Sequence, residues 1–265
     1  MRFRVTSAFQ VVSLLIGCVA LHHSAALAAD SCSVKPRPSG GSGGKHGTFP
    51  NESIEVGETE RLFRLVVPDS VDLVKPATLV FAFHGFLFDS KDHLPRYTHL
   101  PGLAKREGFI LVFPGGLGRR WRLHARRNID LDFFGKLFDH VTSRYKIDLN
   151  RVYVVGMSNG AYFTNLVASA QSEKIAAIAA HSGGLGILAQ NGVRAKRKYP
   201  VMLIHGDQDK IVPVEQSRQA LGIYEQEGHK VHYVEIKGMR HFWASHAKVN
   251  DQIWKFFVEN PMRPQ

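Results

Sequence analysis

The stretch Val152-Tyr153-Val154-Val155-Gly156-Met157-Ser158-Asn159-Gly160 decides the fold. A short β-branched run leads into a Gly-x-Ser-x-Gly sequence, and an amphipathic segment, residues 159–170, follows. This order predicts a buried strand, a sharp turn that exposes the serine hydroxyl, and a helix. Residues 40–44 match the same five-residue pattern inside a Gly- and Ser-rich stretch with no predicted strand or helix. The context therefore makes Ser158 the candidate nucleophile.

Short apolar runs alternate with amphipathic segments on both sides of this turn, which is typical of a mainly parallel sheet with helices on both faces. Upstream, residues 53–56 and 61–67 predict an antiparallel hairpin at one sheet edge. No insertion is long enough to form a cap domain. The predicted strands are 77–83, 109–113, 152–155, 175–180, 201–204 and 231–236, and the predicted helices are 130–145, 159–170, 214–227 and 249–258.

The N-terminal part of the chain predicts export. Residues 1–28 combine a basic start, an apolar run and an Ala-rich end, as in a secretory signal peptide. Two alternatives remain open: lipidation at Cys18, or retention of the segment as a membrane anchor. Residues 29–47 are rich in Gly, Ser, Pro and Lys and predict a flexible linker, so the catalytic domain is expected at 48–265. Cleavage would leave Cys32 alone, without an internal disulfide.

A serine hydroxyl needs a neighbouring base, and the base needs an acid that fixes its tautomer. The predicted strand 201–204 runs into a loop that contains Asp207 and Asp209. A carboxylate just past the end of a parallel strand lies at the ligand-binding edge of the sheet. Asp209 is the predicted acid, and Asp207 is the alternative, better suited to stabilising the turn.

The base is predicted to be His241, in the loop after residues 231–236. In this kind of fold the acid and then the histidine follow the serine along the chain. His84 and His205 also lie at strand ends, but neither fits that order, so they are predicted to shape loops through hydrogen bonds. The predicted catalytic triad is Ser158, Asp209 and His241.

Two backbone N–H groups should stabilise the negative charge that develops on an ester carbonyl oxygen. Asn159 is one candidate because it opens the helix after the serine. Phe86 is the other, because the preceding glycine lets the loop after residues 77–83 approach closely. This chemistry requires no metal ion and no organic cofactor.

The formal net charge is +11, and residues 119–127 contain five arginines. This segment follows a predicted strand and should rise at the same edge as Ser158. Candidate substrate contacts are Arg120, Trp121, Arg127 and Trp243. The arginines, interleaved with Trp121, could hold a carboxylate, a sulfate or an acidic sugar by bidentate contacts and stacking. A solvated loop is the alternative. The basic residues 194–198 belong to the opposite edge, and no nucleic-acid-binding motif accompanies the charge.

Taken together, His84-Gly85, the turn at Ser158, His205-Gly206-x-x-Asp209 and Gly238-x-x-His241-x-Trp243 resemble the polyhydroxybutyrate depolymerase and feruloyl esterase-like branch of the α/β-hydrolases. The resemblance implies an α/β-hydrolase fold and a secreted enzyme that hydrolyses polyhydroxybutyrate, feruloyl or acetyl esters. The chain departs from the family at Met239-Arg240, where relatives are richer in glycine, and no polymer-binding module accompanies the domain.

The expected partner is an ester substrate, polymeric or acidic. Neither nucleic acid binding nor stable membrane insertion is expected, unless the N-terminal segment is retained or lipidated. Two other functions remain open: a serine peptidase of the prolyl oligopeptidase type, and an inactive hydrolase-fold protein that binds acidic glycans.

Overall fold

The computed structural model describes residues 34–89 and 92–263. Its centre is an eight-stranded sheet in the order β1-β2-β4-β3-β5-β6-β7-β8. The first two strands are antiparallel to their neighbours and form the predicted hairpin at one edge, while β3 to β8 run parallel. The strands are β1 (Gly47–Val56), β2 (Thr59–Val67), β3 (Ala77–Phe83), β4 (Ile110–Pro114), β5 (Ile147–Met157), β6 (Ala177–His181), β7 (Val201–Gly206) and β8 (Val231–Ile236).

Helices cover both faces of the sheet, because the parallel strands need crossover connections. The helices are α1 (His93–Thr98), α2 (Leu100–Glu107), α3 (Ile129–Arg144), α4 (Asn159–Ala170), α5 (Leu188–Asn191), α6 (Glu215–Gln226) and α7 (Val249–Glu259). Buried side chains of α3, α4, α5 and α6 belong to one apolar cluster, and those of α1, α2 and α7 belong to a second. Alternate residues of the central strands fill the two clusters, so the mainly parallel sheet with two helical layers is confirmed.

The segment predicted as a flexible linker, residues 29–47, packs on the domain in the part that the structure describes. From residue 34 onward it lies against the domain: Ser39 N–H donates to the Ile147 carbonyl at 2.8 Å, and Leu149 N–H donates to the Arg37 carbonyl at 2.8 Å. A Cβ on Gly41 would lie 2.3 Å from the Tyr145 carbonyl oxygen, so the chain packs closely there. The predicted domain boundary at residue 48 is therefore wrong, because backbone hydrogen bonds attach a segment that has few apolar side chains.

The predicted signal peptide, including Cys18, lies outside the described residues, and so does Cys32. Within residues 34–89 and 92–263, no helix has the length and apolarity needed to cross a bilayer.

Candidate active site

The turn at Ser158 joins the end of β5 to the start of α4. Ser158 has φ 55° and ψ −122°, a strained conformation for a residue with a side chain. Gly156 and Gly160 on either side of it leave no room for a side chain. A Cβ on Gly156 would lie 2.2 Å from the Gly160 carbonyl oxygen, and one on Gly160 would lie 2.3 Å from the Phe83 carbonyl oxygen. The serine is thus held, half-buried, at the edge of the sheet formed by the carboxyl ends of the parallel strands.

Asp209 and His241 form a hydrogen-bonded pair at the same edge. The Nδ1–H of His241 donates to Asp209 Oδ2 at 2.6 Å. Asp209 Oδ1 accepts the N–H groups of Ile211 and Val212, each at 2.9 Å. Burial works to raise the pKa of Asp209, but the bonds from His241 and the two backbone groups outweigh it and lower that pKa. The carboxylate stays charged and holds the imidazole so that Nε2 is available.

His181, at the end of β6, connects the serine to the loop that carries His241. Its carbonyl accepts Ser158 N–H at 2.9 Å, its Nε2 accepts Ala244 N–H at 3.2 Å, and its ring stacks on Trp243 at 4.8 Å. Burial, with smaller contributions from neighbouring histidines, lowers the pKa of His181 to about 3, so the ring is neutral and can accept. Among the described side chains, no hydrogen bond within 3.5 Å joins Ser158 to His241. In unliganded enzymes this contact often tightens only when substrate binds.

The two candidate oxyanion donors flank the serine. Asn159 opens α4 directly after Ser158. The loop that carries Phe86 passes close by, since a Cβ on Gly85 would lie 3.4 Å from Ser158 Cβ. Neither the N–H of Asn159 nor that of Phe86 has an acceptor in the described part of the chain. Both groups are free to bind an oxyanion.

The other two histidines at strand ends shape the loops. His84 is buried, and its Nε2 accepts the N–H of Gly116 at 2.9 Å; burial lowers the pKa of His84 to about 4. His205 Nε2 lies 2.9 Å from the Val212 carbonyl oxygen and 3.3 Å from Asp209 Oδ2. His205 and His241 therefore approach the same carboxylate oxygen of Asp209.

The two tryptophans predicted to contact substrate are part of the core. Trp121 is 3% exposed and stacks on Phe163 with ring centroids 4.6 Å apart, while its indole N–H donates to the His84 carbonyl. Trp243 is 4% exposed, and its indole N–H donates to Asn250 Oδ1. The prediction that these two tryptophans contact the substrate is corrected, because both rings are enclosed by other side chains. Arg120 and Arg127 are exposed.

Sequence reasoning missed His181. The signal was available, because a histidine followed by Ser182-Gly183-Gly184 ends an apolar strand. The chain order of acid and base does not point to His181, because Asp209 and His241 already satisfy that order. In the regions that the structure describes, no group of three His, Cys, Asp or Glu side chains is placed to hold a metal ion.

Comparison with known structures identifies the fold. A thermostable esterase superposes with a TM-score of 0.63 at 22% identity, covering 81% of this chain and 63% of its own. The feruloyl esterase module from Clostridium thermocellum, solved with sinapinate, superposes with a TM-score of 0.62 at 14% identity, covering 88% and 96%. Residues 131–252 match the family described as phospholipase/carboxylesterase. The chain has the α/β-hydrolase fold.

The relatives that match this chain in sequence are named as esterases. The chain is 32% identical over 164 residues to a bifunctional acetylxylan esterase/xylanase of Neocallimastix patriciarum, a match that covers 60% of the chain and 23% of the relative. It is 32% identical over 125 residues to feruloyl esterase B of Neurospora crassa, covering 44% and 42%. The chain thus spans less than half of either relative. The predicted resemblance to the esterase branch of the α/β-hydrolases is confirmed.

Proposed function

We propose that this α/β-hydrolase is a serine carboxylic ester hydrolase that acts through an acyl-enzyme, with Ser158, His241 and Asp209 as its catalytic triad. The observation that carries the proposal is the strained Ser158 at the sheet edge that also holds the 2.6 Å pair of Asp209 and His241. Strain of this kind persists where the surrounding structure needs it, as in an exposed nucleophile.

The mechanism follows from these positions. His241 Nε2 takes the proton of Ser158 as Oγ attacks the ester carbonyl, and Asp209 stabilises the imidazolium that forms. The N–H groups of Asn159 and Phe86 bind the oxyanion. His241 then gives the proton to the departing alcohol, leaving Ser158 acylated. A water molecule, deprotonated by His241, then attacks the acyl carbonyl. The bond between the acyl group and Ser158 Oγ breaks, the carboxylic acid leaves, and His241 returns the proton to Oγ.

We further propose substrates of the polymer or plant-wall type: acetyl, feruloyl or hydroxybutyrate esters. The names of the relatives, an acetylxylan esterase and feruloyl esterases, support the first two. The signal-like residues 1–28 support secretion of the enzyme, and plant-wall esters lie outside the cell that would secrete it.

Labelling with a fluorophosphonate probe tests the nucleophile, since only an activated serine reacts. We expect the wild-type protein to be labelled and Ser158→Ala to be unlabelled while keeping its fold by circular dichroism. Ser42→Ala is the matched control, because Ser42 lies in the second Gly-x-Ser-x-Gly sequence, exposed on the N-terminal segment. It should label like wild type.

Unchanged labelling of Ser158→Ala would refute the assignment, and an unlabelled wild type would favour the glycan-binding alternative. A panel of acetyl, feruloyl and hydroxybutyrate esters beside a peptide amide then tests the reaction class. Faster cleavage of the amide than of every ester would favour a peptidase.

A further inference from the structure

We propose that the arginine-rich loop, residues 119–127, forms an anion subsite that binds a carboxylate carried by the ester substrate. The inference rests on the proposed function, because it concerns the same site and deepens it.

The loop is attached to the catalytic machinery itself. Trp121 N–H donates to Asn159 Oδ1 at 2.7 Å, and Asn159 Nδ2 donates back to the Trp121 carbonyl at 3.3 Å. The Trp121 indole N–H also binds the His84 carbonyl at 2.9 Å. Asn159 directly follows Ser158 and supplies a candidate oxyanion donor. The backbone of Arg120, the residue before Trp121, is therefore held close to Asn159.

Backbone contacts hold the loop in one conformation. A Cβ on Gly116 would lie 2.3 Å from the Arg120 carbonyl oxygen, so these two backbones touch. Further along, Arg122 N–H donates to Asp130 Oδ2 at 2.8 Å, and Asn128 Nδ2 donates to the Arg122 carbonyl at 2.9 Å. A loop held in this way presents its side chains with little further cost in backbone entropy on binding.

Within the described residues, three of the five arginine side chains in the loop are not neutralised by the protein. In the described structure, the guanidinium groups of Arg120, Arg126 and Arg127 have neither an ion pair nor a hydrogen bond, and all three residues are exposed. The carboxylate nearest the loop, Asp130, is fully buried and binds Arg61 Nη2 at 2.7 Å. Its remaining oxygen lies 3.8 Å from the Arg122 side chain.

Neighbouring loops add to the positive charge at this edge. Lys210 and Arg240 are exposed beside Asp209 and His241, and neither has a partner in the described regions. The two carboxylates in their loops are engaged: Asp209 binds His241, and Asp207 accepts Gly238 N–H at 2.6 Å. Unneutralised guanidinium and ammonium groups around one site attract anions and raise the local concentration of an anionic substrate.

A carboxylate fits these donors best, since the planar guanidinium binds its two oxygens through a pair of parallel hydrogen bonds. The group could belong to the acyl part, as in the half-ester of a dicarboxylic acid. It could also belong to the alcohol part, as in an ester of a uronic acid. The arginines would bind the carboxylate in the same way in both cases. Two pairs of substrates distinguish a carboxylate on the acyl part from one on the alcohol part.

The experiment measures kcat/KM for matched esters with and without a carboxylate. The acyl pair is mono-para-nitrophenyl adipate with para-nitrophenyl hexanoate, and the alcohol pair is para-acetoxybenzoate with phenyl acetate. We expect the double variant Arg120→Gln/Arg127→Gln to lower the charged-to-neutral ratio by about tenfold in at least one pair, as the loss of a charge-assisted hydrogen bond predicts. The pair that responds identifies the part of the substrate that carries the carboxylate.

Arg194→Gln is the matched control. Arg194 is also exposed, has φ 49° where Arg127 has φ 48°, and precedes β7 at the opposite edge of the sheet. The substitution removes one positive charge at the opposite edge from Ser158. The charged-to-neutral ratio of kcat/KM should therefore stay within about twofold of wild type in low salt.

An unchanged ratio in both pairs for the double variant would overturn the subsite while leaving the esterase proposal intact, provided that neutral esters are hydrolysed. An equal fall in Arg194→Gln would also overturn it, because the effect would then come from net charge alone. If the wild-type protein hydrolysed none of the four esters and was not labelled by fluorophosphonate, both proposals would fail.

Discussion

At the scale of single residues, the carboxylates of Asp207 and Asp209 lie in one loop but make different contacts. Asp209 is buried and accepts bonds from His241 and from the backbone of Ile211 and Val212. Asp207 is half-buried and closes the turn through Gly238 N–H. The sequence favoured Asp209 on the position of the loop, and the side-chain contacts supply the physical reason for the choice.

Exchange of each carboxylate for its amide tests this assignment. We expect Asp209→Asn to lower kcat by about 10³ to 10⁴, because an amide cannot hold the imidazole in the required tautomer or stabilise its charged form. Asp207→Asn should lower kcat less than about tenfold, since an amide oxygen can still accept the Gly238 bond. Steady-state kinetics on a neutral ester measures both. A larger loss in Asp207→Asn than in Asp209→Asn would reverse their roles.

At the scale of elements, the N-terminal segment adds an extended stretch beside the start of β5. Pro38 bridges Asp148, and Ser39 exchanges hydrogen bonds with Tyr145 and Ile147. Its Gly-rich composition suggested a linker, whereas close backbone approach to Tyr145 requires glycine there. Glycine is common both in flexible linkers and in segments whose backbones pack closely. Composition alone therefore does not distinguish the two.

Two glycine substitutions separate the packed segment from a loose one. A Cβ on Gly41 would overlap the Tyr145 backbone, while one on Gly40 would meet nothing within 4 Å. We expect Gly41→Ala to lower the free energy of unfolding by about 1 to 3 kcal/mol, and Gly40→Ala to change it by less than about 0.5 kcal/mol. Urea unfolding followed by fluorescence measures both. Equal midpoints would mean that the segment is not docked as described.

At the scale of the whole molecule, buried neutral histidines link stability to pH. The pKa of His84 is lowered to about 4 and that of His181 to about 3, in both cases chiefly by burial. In the unfolded chain both rings titrate near 6.5, so between that pH and the folded values the unfolded state binds more protons. Stability therefore falls as the pH drops through this range.

We expect each of these two histidines to remove about 2 kcal/mol from the free energy of unfolding between about pH 6.5 and about pH 5. Urea titrations at the two pH values measure the loss. His181→Gln should reduce the pH dependence, whereas His246→Gln should leave it as in wild type, because His246 is exposed. A stability that stays flat over this range would contradict neutral burial of the two rings.

The order of elements and the turn at Ser158 could be predicted because they depend on local signals. Strand and helix periodicity, and glycines on both sides of one serine, act within a few residues. The loops that carry Asp209 and His241 followed from a topological rule, since the carboxyl ends of parallel strands meet at one edge. For these features, neighbours in sequence largely determine the conformation.

The sequence alone thus determined the sheet with its two helical layers, the serine turn and the three triad candidates. Only the tertiary structure decided that Trp121 and Trp243 are enclosed, that His181 connects the serine to the His241 loop, and that residues from 34 onward pack on the domain. Each of these depends on contacts between segments far apart in the chain. Such contacts depend on how the whole core packs, so a local pattern of polar and apolar residues does not predict them.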